Sequence, residues 1–313
     1  MKLFYYLQRF GYQHLPSIYF KQKYKFLKKL ETKIDKEELN SRLNYYVKTN
    51  TTFRLPPEAI AIKDFKRKGN SSNYFLDLKD FLHYFNPEAR LLYRFGDNTE
   101  TPQYPTLVKA RIIDNNNANS VLFKLNKVRH FKWVNDPYTF EQKKNMLVWR
   151  GGAYQTLRKK FVKSYWNHPL CDVGQTNTPK ENAPWQKPFL PIKKQLEYKF
   201  ILCLEGNDVA SNLKWAMSSN SLCFMTKPHY ETWFMEGTLK KGIHYVEIKN
   251  DFSNLEEKLL YYTQHTEEAK TIINNAHNYI KKFQNNYIED LLCLKVLEKY
   301  MELSKQSNFI KFE

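Results

Sequence analysis

Three polar clusters in this chain follow apolar runs of strand length, and each carries side chains that could bind or activate a substrate. After residues 199–204 comes Glu205-Gly206-Asn207-Asp208, a turn-forming cluster. Beyond it Val209, Leu213, Ala216 and Met217 fall at helical spacing, with Asp208 the expected N-cap. A further apolar run, 222–224, begins directly after Ser221, so the segment reads strand, polar loop, helix, strand. Open α/β sheets bind ligands at the carboxyl ends of their strands, against helix N-termini, and a loop of Glu, Gly, Asn and Ser there suits a sugar or a phosphate. An ordinary βα turn fits the same residues equally well.

The second cluster is Arg150-Gly151-Gly152, which ends the strand-like run 146–149 and precedes a helical stretch at 156–162. Two glycines let the backbone approach a phosphate closely, and Arg150 and Arg158 can supply charge-assisted hydrogen bonds. The spacing is neither a Walker A loop nor a GxGxxG fingerprint. The third cluster, Gly96-Asp97-Asn98, ends the run 91–95. A carboxylate there is a candidate general base, and an Asx turn is the structural alternative. Asp114, after the run 110–113, and Asp136 are the competing carboxylates in the same half.

Other chemistries lack their residues. The eight histidines are dispersed with no HxH or HxxxH pair, so no metal site is expected, and no GxSxG elbow appears. Cys171, Cys203, Cys223 and Cys293 have no paired spacing and read as buried free thiols of a reducing compartment.

The elements that must position these clusters can be read in order. Residues 1–50 look helical and basic, with Phe20, Tyr24, Leu27, Leu30 and Ile34 near one face and lysines between them. Such a run either lies on an anionic leaflet or packs inward with a solvated lysine face. Residues 75–79 read as a short strand or a helix start, 106–111 as one strand, 169–191 as an irregular loop and 244–248 as a strand. Amphipathic helices follow at 254–262, 267–283 and 288–303. Basic residues interleave with aromatics between 121 and 140. The balance of 50 Lys and Arg against 32 Asp and Glu, net +18, calls for anionic partners: nucleic acid, a membrane surface or phosphorylated substrates. A hydrophobic share of 42% argues against disorder, while no apolar run is long enough for a membrane span and no signal peptide is recognisable. A cytoplasmic α/β protein is expected.

Four segments, LVWRGGAYQTLRKKF, YKFILCLEGNDVASNLKWAMSSNSLCF, KKGIHYVEIKNDFSNLEEKLLYY and EEAKTIINNAHNYIKKF, occur in an order that resembles glycosyltransferase family 90 across about residues 90–285. The family includes protein O-glucosyl- and O-xylosyltransferases, fungal capsule-associated proteins and bacterial lipopolysaccharide glycosyltransferases, and this chain is similar to the last branch. The resemblance implies a GT-B fold, two Rossmann-like domains facing across a cleft: residues 1–145 on the acceptor side with basic N-terminal helices, 146–285 binding the nucleotide sugar, and 286–313 a helix packing back across the domains. It implies metal-independent, inverting transfer from a nucleotide sugar, usually carried on uridine diphosphate, to a lipopolysaccharide core or related glycan. No cofactor is implied, and the place of work would be the inner face of the cytoplasmic membrane, held peripherally. By the same resemblance Asp97 is the base. Arg150, Gly151, Gly152, Arg158, Glu205, Gly206, Asn207, Ser211, Asn212 and Lys214 form the donor site. Many members have arginine where this chain has Asn212, and Lys214 is the residue that could replace its charge. The alternative reading is a basic protein that binds nucleic acid or an anionic surface without transferase activity.

Overall fold

The structure, a computed structural model, describes residues 2–67, 69, 72–178 and 183–312. In chain order its first half contains α1 (Lys2–Gln13), α2 (Ser17–Glu31), α3 (Lys36–Tyr46), β1 (Ile60–Ala61), α4 (Ser72–Leu82), β2 (Arg90–Leu91), β3 (Tyr93–Arg94), β4 (Thr106–Val108), β5 (Ala110–Ile112), β6 (Ser120–Leu122) and α5 (Lys127–His130). The second half contains β7 (Lys144–Gly151), α6 (Thr156–Tyr165), β8 (Cys171–Gln175), α7 (Ile192–Gln195), β9 (Tyr198–Leu202), α8 (Leu213–Met217), β10 (Leu222–Met225), β11 (Tyr230–Thr232), β12 (Val246–Glu247), α9 (Leu255–Gln264), α10 (Thr266–Lys281) and α11 (Asn286–Leu303). The fold is mixed α/β with parallel sheets.

The chain forms two compact units. One comprises Met1–Arg129, Tyr230–Met235 and Phe283–Glu313; the other comprises His130–His229 and Glu236–Lys282. In the first, β3, β4 and β6 make a parallel sheet in the order β3-β4-β6, and β5 pairs antiparallel with β11. Helix starts there follow capping chemistry: the Asp35 carboxylate accepts from Glu37 N, and Asn285 Oδ1 accepts from Tyr287 N and Ile288 N. The apolar face of α2 turns inward, with Phe20, Tyr24 and Leu27 buried. α2 is therefore a packed helix with Lys21, Lys25 and Lys29 facing solvent, while Lys23 is ion-paired with Asp290 (2.7 Å).

The second unit is built on a five-stranded parallel sheet, β12-β10-β9-β7-β8. All five residues of β9 and all four of β10 are buried, as expected for strands covered on both faces. Phe161 of α6, Leu255 and Leu259 of α9, and Ile272 and Ile273 of α10 complete the core around Leu147, Phe200, Leu202 and Phe224. The four cysteines are buried and free.

Several expected elements differ. Of the two readings of residues 75–79 the helix holds and the strand does not: they lie inside α4. The run 91–95 divides between β2, which pairs antiparallel with β1, and β3, which pairs parallel with β4. The run 106–111 breaks at Lys109, so that β4 and β5 join different sheets. The stretch 169–191, read as irregular, contains the edge strand β8. Asp208 does not cap a helix: its carbonyl accepts from Gly206 N (2.8 Å), closing a tight turn, and α8 begins only at Leu213. The strand expected at 244–248 is reduced to Val246–Glu247.

Candidate functional site

In the sheet of the second unit the chain steps from β7 outward to β8, then returns to the other side of β7 for β9, β10 and β12. The order of connection therefore reverses between β7 and β9. Outside the carboxyl ends of two such strands the following loops diverge and leave a crevice, which is where open α/β sheets hold ligands. The loops that open there are 152–155 and 203–212, so the two clusters singled out by their residue types meet at one place in the fold.

Arg158, in the first turn of α6, ties them together. Its Nη1 donates to Gly152 O (3.2 Å), its Nη2 to Leu204 O (2.6 Å) and its Nε to Glu205 O (2.9 Å). Gly206 lies directly against the guanidinium: a Cβ there would stand 3.1 Å from Nη2, a tight contact that glycine relieves. Gln155 Nε2 donates to Asn207 Oδ1 (2.7 Å), a second link between the loops. The Glu205 carboxylate reaches the end of the next strand. It accepts from His229 N (3.0 Å) and lies 3.1 Å from His229 Nδ1. The His229 ring itself is exposed, at 56% of its side chain. Three neighbouring strand ends, β7, β9 and β10, thus share one polar cluster.

Other residues expected at the site point elsewhere. Arg150 turns to β8, donating to Asp172 O (2.7 Å) and pairing with Asp172 Oδ1 (2.7 Å). Burial would raise the Asp172 carboxyl, but the Tyr198 hydroxyl, Arg150 and Lys187 outweigh it and hold the group down at about 2. Gly151 lies in β7 against the Trp149 ring. Asn212 Nδ2 donates to Leu202 O (2.8 Å), fastening α8 to the end of β9. Ser211 beside it is half-buried. Lys214 is fully buried and ion-paired with Glu236, so its charge is engaged inside the unit.

In the first unit a second charged cluster sits at the carboxyl edge of β3-β4-β6. Gly96, at φ +105°, makes the turn that brings Asp97 back over the sheet, a conformation that favours glycine. Asp97 pairs with Lys109, the residue at which β4 ends, and accepts from the Tyr74 hydroxyl (3.1 Å). Arg129 Nη1 lies 3.6 Å from Asp97 Oδ2. Burial pushes this carboxyl up, but Lys109, Arg129 and Tyr74 outweigh it and hold it below the ordinary carboxylate range. The Asx turn belongs to its neighbour: Asn98 Oδ1 accepts from Glu100 N (3.0 Å).

The rival carboxylates have structural partners. Asp114 is exposed and accepts from Asn116 N (2.9 Å) in a turn. Asp136 is buried against Lys143 (2.7 Å) and accepts from Tyr138 N and Asn220 N. In the basic-aromatic stretch Lys124 pairs with Glu289 and Lys127 with Asp77, both cations largely buried, while Arg129 lies beside Asp97 with its side chain half exposed. Lys109, Tyr74 and His229 are the residues that sequence reasoning missed. Only His229 left a trace, in a polar Lys-Pro-His stretch just past β10. Among the described residues no group of three or more His, Cys, Asp or Glu is placed to hold a metal ion.

Residues 124–311 match the family described as Glycosyl transferase family 90. Over 265 residues the chain is 45% identical to the O-glucosyltransferase LpsA of Dichelobacter nodosus, covering 85% of this chain and 83% of that protein. It is also 26% identical over 174 residues to Protein O-glucosyltransferase 2 of Danio rerio, covering 52% of this chain and 34% of that protein. The same identity holds over 176 residues of Protein O-glucosyltransferase 3 of Homo sapiens, covering 54% and 33%.

Proposed function

The chain belongs to glycosyltransferase family 90 and is a glycosyltransferase, and we propose that it transfers a sugar, with inversion and without a metal ion, from a UDP-sugar to a lipopolysaccharide core or related glycan. The relative from D. nodosus is named an O-glucosyltransferase, which makes glucose the first sugar to try. The observation that carries the reading is the Arg158 bridge between the loops after β7 and β9. A guanidinium in the first turn of α6, at the sheet's reversal point, adds its charge to the helix's own positive end, and a diphosphate is the ligand such a crevice favours. The GT-B arrangement of two Rossmann-like domains that the family resemblance implies is part of the proposal.

In the proposed reaction the acceptor hydroxyl oxygen bonds to the anomeric carbon while the bond from that carbon to the diphosphate oxygen breaks. Asp97 takes the hydroxyl proton, and the nucleoside diphosphate leaves with the electron pair. Lys109, Arg129 and Tyr74 favour the ionised form of Asp97, the form a base needs. Its proton affinity is correspondingly low. The proton therefore moves late, after bond formation at the anomeric carbon has made the hydroxyl acidic. Work at the inner face of the cytoplasmic membrane is part of the proposal, since the acceptor is an anionic glycolipid.

Thermal unfolding with a panel of nucleotide sugars, each with and without EDTA, tests the donor. A ligand at about 100 times its Kd stabilises by about 2.7 kcal/mol, which raises the Tm by about 5–10 °C for a unit of this size. A UDP-sugar should produce that shift and EDTA should leave it unchanged. No shift with any nucleotide sugar, or a shift abolished by EDTA, contradicts the proposal.

A further inference from the structure

Helix α1 is amphipathic in the reverse sense to an ordinary surface helix. Its inward side is polar: the Tyr5 hydroxyl donates to Asp77 Oδ1 (2.6 Å), Arg9 pairs with Asp80, and Gln13 Nε2 donates to Asp80 Oδ1 (2.7 Å). The Tyr12 hydroxyl meets that of Tyr84 at 3.3 Å. On the opposite side, at 3.6 residues per turn, lie Phe4, Leu7 and Phe10, exposed at 71%, 62% and 65%. The apolar display continues past the turn at Pro16 with Leu15, Ile18 and Tyr19, and Phe26 of α2 is exposed against the Tyr287 ring. Seven of the 14 exposed large apolar side chains among the described residues fall between 4 and 26, a concentration that scattered surface hydrophobes do not show.

Charge identifies the occupant. Residues 1–30 contain seven Lys and Arg and no Asp or Glu, and although Arg9, Lys23 and Lys28 are ion-paired with Asp80, Asp290 and Glu31, an exposed row of lysines remains on α2. Ile18, Lys21, Lys25 and Lys29 are all exposed and recur at the spacing of one face of α2. An exposed apolar stripe on a helix too short to span a bilayer, in the same N-terminal segment as the exposed lysines of α2, matches the interface of an anionic membrane. We propose that α1, through Phe4, Leu7 and Phe10 and supported by the exposed lysines of α2, is the element that docks this protein on an anionic lipid bilayer. The residues differ from the α2 face that the sequence pattern singles out, because that face is consumed by the core. The polar ties to Asp77 and Asp80 fix the helix axis, so the stripe is presented ready-formed. This inference rests on the membrane-side placement proposed above and names the surface responsible.

The test is flotation of the full chain with vesicles of phosphatidylcholine alone and of phosphatidylcholine mixed with phosphatidylglycerol. The variants are Phe4→Ser/Leu7→Ser/Phe10→Ser and Lys21→Glu/Lys25→Glu. Light scattering of the unliganded protein and thermal shift by a UDP-sugar are measured beside it. The wild type should float with the phosphatidylglycerol vesicles, and each variant should lose about tenfold or more of that binding. Melting temperature and nucleotide-sugar shift should stay unchanged in both variants. Equal flotation with neutral vesicles, no flotation at all, or full flotation of the triple variant overturns the proposal. So does a dimer that the triple substitution dissociates, which would assign the stripe to a second copy of the chain. A wild type that floats but is shifted by no nucleotide sugar supports the docking surface while contradicting the transferase donor.

Discussion

Arg158 offers the sharpest separation between a residue that grips ligand and one that builds the site. Its guanidinium holds Gly152 O, Leu204 O and Glu205 O at 2.6–3.2 Å, and Leu204 is fully buried. Hydrogen bonds to a charged group are each worth roughly 1.5–3 kcal/mol. Counting the bonds to Leu204 O and Glu205 O, both on buried residues, at the low end of that range and discounting the half-buried Gly152 O, Arg158→Ala should cost about 3 kcal/mol. That corresponds to a drop of about 6–12 °C in the Tm of the unliganded protein. Arg158→Lys keeps the charge but presents a point donor in place of the fork, so it should restore about a third of the loss at most. UDP affinity, measured by calorimetry, should fall by about 10- to 150-fold in both variants, because the loops that frame the crevice are no longer held. If instead both variants melt within about 2 °C of wild type and lysine restores affinity, the bridge carries no structural load and the argument from the carbonyl bonds fails.

Two further outcomes follow from the ion pairs. The folded-state carboxyl of Asp172, held at about 2, lies below its unfolded value, so its contribution is complete above about pH 4 and is lost as pH falls toward 2. Urea melts should show wild type losing stability across that window, with Asp172→Asn, already deprived of the contribution, losing less; parallel curves would contradict the assignment. Lys109→Met removes the nearer of the two cations that depress Asp97 and leaves the burial that raises it, so the acid limb of the transfer rate should move to higher pH. An unmoved limb would show that Lys109 does not set the protonation of this carboxylate.

How much was legible in the sequence depended on how each residue meets its surroundings. Strands β9 and β10 were readable because burial on both faces makes them continuous apolar runs. Strand β8 was not, because its Asp172 and Gln175 look like loop residues until Arg150 and the edge position explain them. The polar clusters at 150–152 and 205–208 were visible as turn chemistry. Their meeting at one crevice was not, since the pairing of β7 with β9 joins segments some fifty residues apart. Asp97 could be picked out as a carboxylate after a strand. Its partner Lys109 could not, since a lysine in TLVKARI reads as a solvent-facing strand position and is in fact buried. Periodicity identified the amphipathic run from Phe20 to Ile34 but not whether its apolar side turns inward, as it does in α2, and it gave no sign that α1 buries its polar side.

The central claim, transfer of a sugar from a nucleotide donor with Asp97 as base, is tested most directly by measuring donor binding and sugar transfer separately for Asp97→Asn beside Asp114→Asn. The account predicts that Asp97→Asn keeps its fold and its UDP-sugar affinity while transfer falls by about 10²- to 10⁴-fold. Asp114→Asn, a turn residue, should retain transfer near the wild-type rate. Transfer by Asp97→Asn above about a tenth of wild type, or loss of donor binding and folding together with transfer, would contradict it.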